Sequence, residues 1–323
     1  PLDVARHNPH IKELSSFGAN PQGGVSRVAF SDADRAGRGW VIERMKTAGL
    51  DVSVDVAANI FGRRAGTDPR LKPIIFGSHI DSVPDGGNFD APVGSLAAIE
   101  VAQSFAESNT RTRHPLEVVV WANEEGGLYG SRAVSGQLTA AEMSNRAWSG
   151  KTIEEGMAFL GGTPSRIAEA RRQRGDIACY LELHIEQGGT LERERLQIGI
   201  VEGIVGIRQW NVTVTGVQNH AGTTPMDQRH DAVLSAARFT EMVNRVVRAE
   251  PGRQVGTVGR IEAFPGAPNV IAGRVAATLE LRDLDDAKIV RLYETIAAEA
   301  RTIGAMNGTT FEFGSRHENV AAP

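Results

Sequence analysis

Three short apolar stretches, each running straight into ligand-type side chains and glycine, constrain this chain more than any other feature. They are "KPIIFGSH", "LEVVVWANEEGG" and "IACYLELHIEQGG". Apolar runs this short, bounded by turn residues, read as buried strands rather than helices. Between the first two lies "VGSLAAIEVAQSFAES", a helical stretch. Upstream, "SDADRAGRGWVIERMKTAGL" offers Ser31 as an N-cap, apolar positions at helical spacing and Gly49 near its end. "DVSVDVAANIFGRRAG" alternates Val52, Val54 and Val56 with polar residues, the pattern of an exposed edge strand. Strands separated by helices predict an α/β domain, a mixed sheet flanked by helices. The functional side chains crowd the strand ends, where open α/β sheets carry their sites.

The pattern changes after about Gly203. "GIRQWNVTVTG" is an alternating strand, and "DAVLSAARFTEMVNRVVRAE" a helix. Then follow "GTVGRIEAF", "GRVAATLELRD", the helix "DAKIVRLYETIAAEARTIGAMNG" and the strand "TTFEFG". This βαββαβ order predicts a smaller α+β domain, a sheet with two helices on one face. The expected division is a catalytic domain over residues 1–203, a second domain over 204–316, and a return towards the first domain beginning at 317–323. At 323 residues, two domains fit the length.

Composition narrows the function classes. Hydrophobic residues at 41% and charged residues at 23% match a folded enzyme rather than a disordered chain. A formal net charge of −4 supplies no electrostatic footprint for nucleic acid or an anionic membrane. No apolar run approaches the roughly 18 residues of a membrane span. The single cysteine, Cys179, has no partner for an internal disulfide, so a cytoplasmic location is expected.

The strand-end motifs carry the chemistry. In "GSHIDSVPDGGNFD", His79 and Asp81 lie two apart on a strand and point the same way, so the carboxylate can orient the imidazole. Asp90 follows a Gly-rich turn able to bring it back beside His79. "WANEEGG" places Glu124 and Glu125 side by side at a strand end, costly unless a cation neutralises them. "LELHIEQGG" adds Glu182, His184, Glu186 and Gln187. Taken singly each motif has an ordinary reading, as a solvated carboxylate pair or a hydrogen-bonded core histidine. Three successive strands ending this way point instead to divalent metal. Histidine and carboxylate donors without cysteine suit Zn²⁺, Mn²⁺, Co²⁺ or Ni²⁺.

The combined motifs resemble those of the metallopeptidase-related, dinuclear-metal amidohydrolases that include N-carbamoyl-L-amino-acid hydrolase, allantoate amidohydrolase and β-ureidopropionase. The likeness runs from about "GGVSRVAFS" to "TLELRDLD". It implies two divalent ions, with His79 and His184 on one, Asp90 bridging and Glu125 on the other. It makes Glu124 the general base for a metal-bridging water and Asp81 the partner of His79. It also separates branches. Peptidase and aminoacylase relatives usually carry a carboxylate at the position of His184, whereas the ureido-hydrolysing branch has His followed by "IEQG", as here.

The same resemblance assigns substrate binding to Gln187 and, in "NHAGTTPM", "PGAPNVIAG" and "LELRD", to His220, Asn269 and Arg282. His220 would stabilise an oxyanion, often in the neighbouring subunit's site, and Arg282 would clamp a carboxylate through its planar fork. The second domain is then a lid and dimerisation domain, the partners being a small ureido or carbamoyl substrate and a second copy of the chain.

Two departures stand out. The family has glycine after the bridging Asp, and this chain has Ala91 before Pro92. A further His in a Ser-Gly-x-Gly-His type motif, completing the second metal site, has no match here. The expectation is that these residues belong to a longer enzyme. Carbamoyl C–N hydrolysis with release of ammonia leads the functional readings. A peptidase or N-acyl-amino-acid deacylase on the same metal core, and a non-catalytic binding protein lacking the second metal site, are the alternatives.

Overall fold

The computed structural model describes residues 3–322. They separate into two units at Leu196/Gln197, seven residues before the boundary expected from the sequence.

The first unit opens with helix α1 (Val4–Ser15), followed by α2 (Asp32–Thr47), whose start the sequence specifies: the Ser31 side chain accepts from the Asp34 amide. The stretch expected to be one edge strand is two. β1 (Asp51–Val54) and β2 (Ile60–Arg64) form an antiparallel pair. The turn between them is built by Asp55, whose carboxylate accepts from the Ala57 and Asn59 amides and the Asn59 side chain. An Asp that satisfies its own following amides ends a strand more readily than it continues one.

β3 (Ile74–His79), α3 (Pro92–Glu107) and β4 (Leu116–Trp121) fall where expected. After α4 (Tyr129–Ser135) and α5 (Ile153–Phe159) comes β5 (Cys179–Leu181). The short α6 (Thr190–Glu194) follows it. The sheet runs β1-β2-β4-β3-β5, antiparallel on the β1 side and parallel through β4, β3 and β5. It is therefore mixed, with β1 at one edge and β5 at the other.

β5 is shorter than its apolar pattern suggests, pairing only Cys179–Leu181 with Ile74–Phe76. His184 thus lies three residues beyond the strand rather than on it. The chain leaves the sheet here because other partners capture it. Ser78 donates to the Glu182 carboxylate, and Leu183 runs over the first turn of α3. That crossing requires Gly94: a Cβ there would overlap the Leu183 carbonyl oxygen.

The second unit comprises β6 (Gly206–Thr215), β7 (Asn219–His220), α7 (Ala232–Ala249), β8 (Val255–Phe264), β9 (Val270–Ile271), β10 (Arg274–Asp283), α8 (Asp286–Asn307) and β11 (Thr310–Asn319). Its main sheet is antiparallel, order β11-β6-β10-β8. Trp210, Val212 and Val214 of β6 and Val275, Ala277, Leu279 and Leu281 of β10 share one buried face with α7 and α8. The period-2 alternation places them there together. β7 and β9 form a separate two-stranded ribbon. The segment expected to begin a return at residue 317 instead continues β11, with His317 opposite Gln209 and Asn319 opposite Ile207. Pairing along the whole length of β6 satisfies backbone groups that would otherwise be open on that edge.

Candidate metal centre

The C-terminal ends of β3 and β4, the first turn of α3 and the segment after β5 bring the expected first-unit residues together. His79, the last residue of β3, is 2% exposed, as is Asp81. Ser95 of α3 donates to the His79 carbonyl at 2.8 Å, tying helix to strand end. The His79 ring faces Asp81 with Nδ1, 3.0 Å from its carbonyl and 3.5 Å from Oδ1, and faces Glu124 with Nε2 at 3.1 Å. Asp81 in turn accepts the Glu124 amide at 3.2 Å and the Glu125 amide at 3.1 Å. One buried carboxylate thereby fixes both the imidazole and the turn that presents the Glu pair.

His184 Nε2 lies 3.0 Å from Asp90 Oδ1, and the Gln187 amide donates to Asp90 Oδ2 at 2.5 Å. Gln187, expected to face substrate, has its amide on Asp90 here. Glu186 caps α6, accepting the Thr190 and Leu191 amides. Among the described residues, His79, Asp90 and His184 form a group whose ligand atoms lie within 4.8 Å of one another. Two imidazoles and a carboxylate at that spacing fit a divalent cation of the Zn²⁺ or Mn²⁺ type. Glu125 is not in this group, although Asp90 and Asp81 are among the charges acting on it.

The electrostatics describe a site short of positive charge. Burial, with the charges of Asp81, Glu125 and Glu182, pushes the Glu124 carboxyl up to about 7 against the pull of His79. Burial likewise raises Glu125, helped by Asp90 and Asp81. Burial alone would lower His79, but the hydrogen bond and charge of Asp81, with Glu124 and Glu125, raise it to about 9. Asp81 is held low despite its burial by His79 and by the two glutamate amides. A cation held here would take the place of the proton on His79, so its uptake would release protons and weaken as pH falls.

Ala91 sits buried between Asp90 and the Pro92 that opens α3, at φ 62° and ψ −31°. Positive φ disfavours any residue with a Cβ, and a pre-proline residue is restricted further. The alanine therefore holds a glycine-type backbone next to a candidate ligand.

The expected substrate-binding residues of the second unit do not form one cluster. His220 and Asn269 are neighbours on the β7–β9 ribbon, where the Ala221 amide donates to the Asn269 carbonyl at 3.0 Å. Arg282 is near the far end of β10, paired with Glu280 at 2.6 Å. Register places Arg282 opposite Ile207, whereas β10 begins at Arg274 opposite Thr215, the end from which β7 departs.

Sequence reasoning missed the supports. Trp121 donates to the Tyr180 hydroxyl at 2.9 Å, and Tyr180 to Glu182 at 2.6 Å, linking β4 and β5 under the site. Arg27 was visible only as part of "GGVSRVAFS"; a lone arginine inside an apolar stretch is the signal of a buried cation that was available there.

Residues 75–272 match the model of Peptidase family M20/M25/M40. An N-carbamoyl-L-amino acid amidohydrolase of Geobacillus stearothermophilus is 41% identical over 298 residues, covering 91% of this chain and 73% of that protein. Allantoate amidohydrolase of Escherichia coli K12 is 33% identical over 296 residues, covering 90% and 72%. The crystal structure of a hydantoinase/carbamoylase family amidase from Burkholderia multivorans superposes with a TM-score of 0.90 at 36% identity, covering 99% of this chain and 79% of that one. The chain belongs to Peptidase family M20/M25/M40, with N-carbamoyl-L-amino-acid and allantoate amidohydrolases among its relatives.

Proposed function

We propose that this protein is a metal-dependent amidohydrolase that cleaves the ureido C–N bond of an N-carbamoyl amino acid or an allantoate-like ureido acid. The observation that carries the reading is the set His79, Asp90 and His184 with the Glu124 carboxylate directed at His79, 3.1 Å away. A histidine at position 184, where peptidase relatives usually have a carboxylate, favours the ureido branch. The relatives named for N-carbamoyl amino acids and allantoate point the same way.

Bound divalent cations, two by the resemblance, would polarise the carbamoyl carbonyl and make water a better nucleophile. His79, His184 and Asp90 would hold them, with Glu125 completing the set beside Asp90. Glu124 takes a proton from the attacking water and passes it to the leaving nitrogen. Water adds at the carbamoyl carbon, one C–N bond breaks, and the carbamate that remains loses carbon dioxide. The net products are ammonia, carbon dioxide and the amino acid or its ureido counterpart. Asp81 keeps His79 and the Glu124–Glu125 turn in register through the contacts described above.

His220, Asn269 and Arg282 would bind the substrate's oxyanion and carboxylate. Eight residues of β10 separate its start, near the β7–β9 ribbon, from Arg282, roughly 27 Å at strand rise. No single small substrate spans that distance, which supports a homodimer in which one copy supplies Arg282 and the other His220 and Asn269. The second unit then acts as lid and dimerisation domain. The single cysteine supports a reducing, cytoplasmic setting. Among the described residues no helix is long and apolar enough to cross a membrane. The test is metal-dependent ammonia release from a panel of allantoate, N-carbamoyl-L-amino acids and N-carbamoyl-β-alanine, with dipeptides as the contrast.

A further inference from the structure

Arg27 is 1% exposed and lies in "GGVSRVAFS", a stretch within the family likeness to which the chemistry above gives no task. Its Nε donates to the Ile80 carbonyl at 2.7 Å, and its Nη1 to the Leu14 and Phe17 carbonyls at 2.9 and 3.0 Å. Its main chain is bound to the same segment from the other side. The Arg27 amide donates to Ser82 Oγ at 3.0 Å, and the Ser82 amide donates to the Arg27 carbonyl at 3.0 Å. Residues 80 and 82, on either side of Asp81, are thus both held by Arg27.

Burying a guanidinium costs several kcal/mol unless hydrogen bonds and opposite charge compensate it. Three carbonyls use its donors, and the opposite charges acting on it are those of Asp34 and Asp81. α2 makes room for it at Gly37, where a Cβ would lie 3.0 Å from Arg27 Cδ. A rivet between α1 and the sheet needs no buried charge. The carbonyl that Arg27 holds belongs to the peptide joining Ile80 to Asp81, so loss of that bond would free the backbone that carries Asp81 and, through the Asp81–His79 contacts, the orientation of the His79 ring.

We infer that Arg27 is a positioning residue for the metal centre, fixing the Ile80–Ser82 backbone so that Asp81 holds the His79 ring and His79 meets the ion in one geometry. The inference rests on the reading of His79, Asp90 and His184 as metal ligands. Residues that orient ligands from outside the coordination sphere typically change metal affinity by about 10–100-fold when altered.

The test uses the full chain and three variants. Arg27→Lys keeps the charge but cannot reproduce the fork on three carbonyls. Ser82→Ala removes the second tie. Glu117→Gln serves as a control, because Glu117 is buried at the opposite end of β4 and pairs with Arg172 at 2.7 Å. Zn²⁺ affinity by chelator competition, the visible spectrum of the Co²⁺ form, kcat, KM and thermal midpoint are measured for each. The expected result is an affinity loss of about 10-fold or more in Arg27→Lys, with an altered Co²⁺ spectrum and a fall in kcat larger than any change in KM. Ser82→Ala should show the same pattern in weaker form, and carries the test alone if Arg27→Lys does not fold. Glu117→Gln should lose thermal stability while its Zn²⁺ affinity and Co²⁺ spectrum stay those of the parent. Parent-like affinity and spectrum in both Arg27→Lys and Ser82→Ala would overturn the inference, as would an affinity that simply tracks the thermal midpoint across all three variants. Failure of the parent chain to bind Zn²⁺ would instead refute the metal reading beneath it.

Discussion

Ala91→Gly should stabilise the protein, although glycine usually destabilises. The reason is the backbone at φ 62° and ψ −31°, between the candidate ligand Asp90 and Pro92. Holding an L-residue with a Cβ in the left-handed region costs about 1–2 kcal/mol, which glycine does not incur. Ala91 is also the N-cap of α3 with no side-chain cap bond, a position where glycine is better than alanine by about 0.5–1 kcal/mol. Against this, the greater freedom of glycine in the unfolded chain costs about 0.4–1 kcal/mol. The lost methyl, fully buried, costs roughly 0.8 kcal/mol. Taken at the middle of each range, the balance favours glycine by about 0.5–1 kcal/mol, or a thermal midpoint some 1–4 °C higher for a unit of this size. Calorimetry on chelator-treated protein isolates this effect from metal binding. Ala102→Gly gives the contrast: the same change, equally buried but inside α3, should lower the midpoint, since glycine within a helix costs about 1 kcal/mol before the lost methyl is counted. If Ala91→Gly lowered the midpoint as much as Ala102→Gly, the backbone strain at Ala91 would be refuted.

Glu124→Gln should retain metal, because Glu124 lies outside the His79–Asp90–His184 group, while turnover falls by about 10²–10⁴-fold; metal analysis beside steady-state kinetics checks both halves. Gly94→Ala should cost about 1–3 kcal/mol by forcing Leu183 off α3, and should weaken metal binding by displacing His184; unchanged affinity by chelator competition would contradict the placement of that segment. Glu100, 3% exposed and bound by Arg6, has its carboxyl lowered from 4.5 to about 2 by the Arg6 hydrogen bonds. The stability it contributes is present above pH 4.5 and is lost as pH falls towards 2. With screening at the more open Arg6 end, Glu100→Gln should cost about 1–2 kcal/mol at pH 7 and little near pH 2, as chemical denaturation at the two pH values would show. Mixing inactive His220→Ala and Arg282→Ala protomers should restore part of the activity, since one of the two sites in a mixed dimer would keep both residues; no recovery after verified subunit exchange would argue against the shared site.

Much of the fold was legible because burial wrote its period into the sequence. β10 alternates buried and open positions from Arg274 to Asp283, and Ser31 marks the start of α2 through the hydrogen bond it makes. The candidate ligand residues stand out in the sequence because carboxylates and imidazoles at apolar strand ends are costly without a function. What stayed hidden depends on contacts distant in sequence. β5 stops at Leu181 because Ser78 and Gly94, more than 80 residues earlier, hold the following segment. Asp55 looked like one polar position in an alternating strand until its bonds to Ala57 and Asn59 made it a turn. Arg27 is informative only once Ile80 and Ser82 are seen on either side of it.

The hydrolase reading stands or falls on metal content measured together with ammonia release. The chain would be purified, analysed for bound divalent metal, and assayed against allantoate, N-carbamoyl-L-amino acids, N-carbamoyl-β-alanine and dipeptides, before and after chelation. Ammonia release that chelation removes and added metal restores, on at least one ureido substrate and not on dipeptides, is the predicted result. Bound metal with dipeptide cleavage and no ammonia release would contradict it and move the chain to the peptidase side of its family.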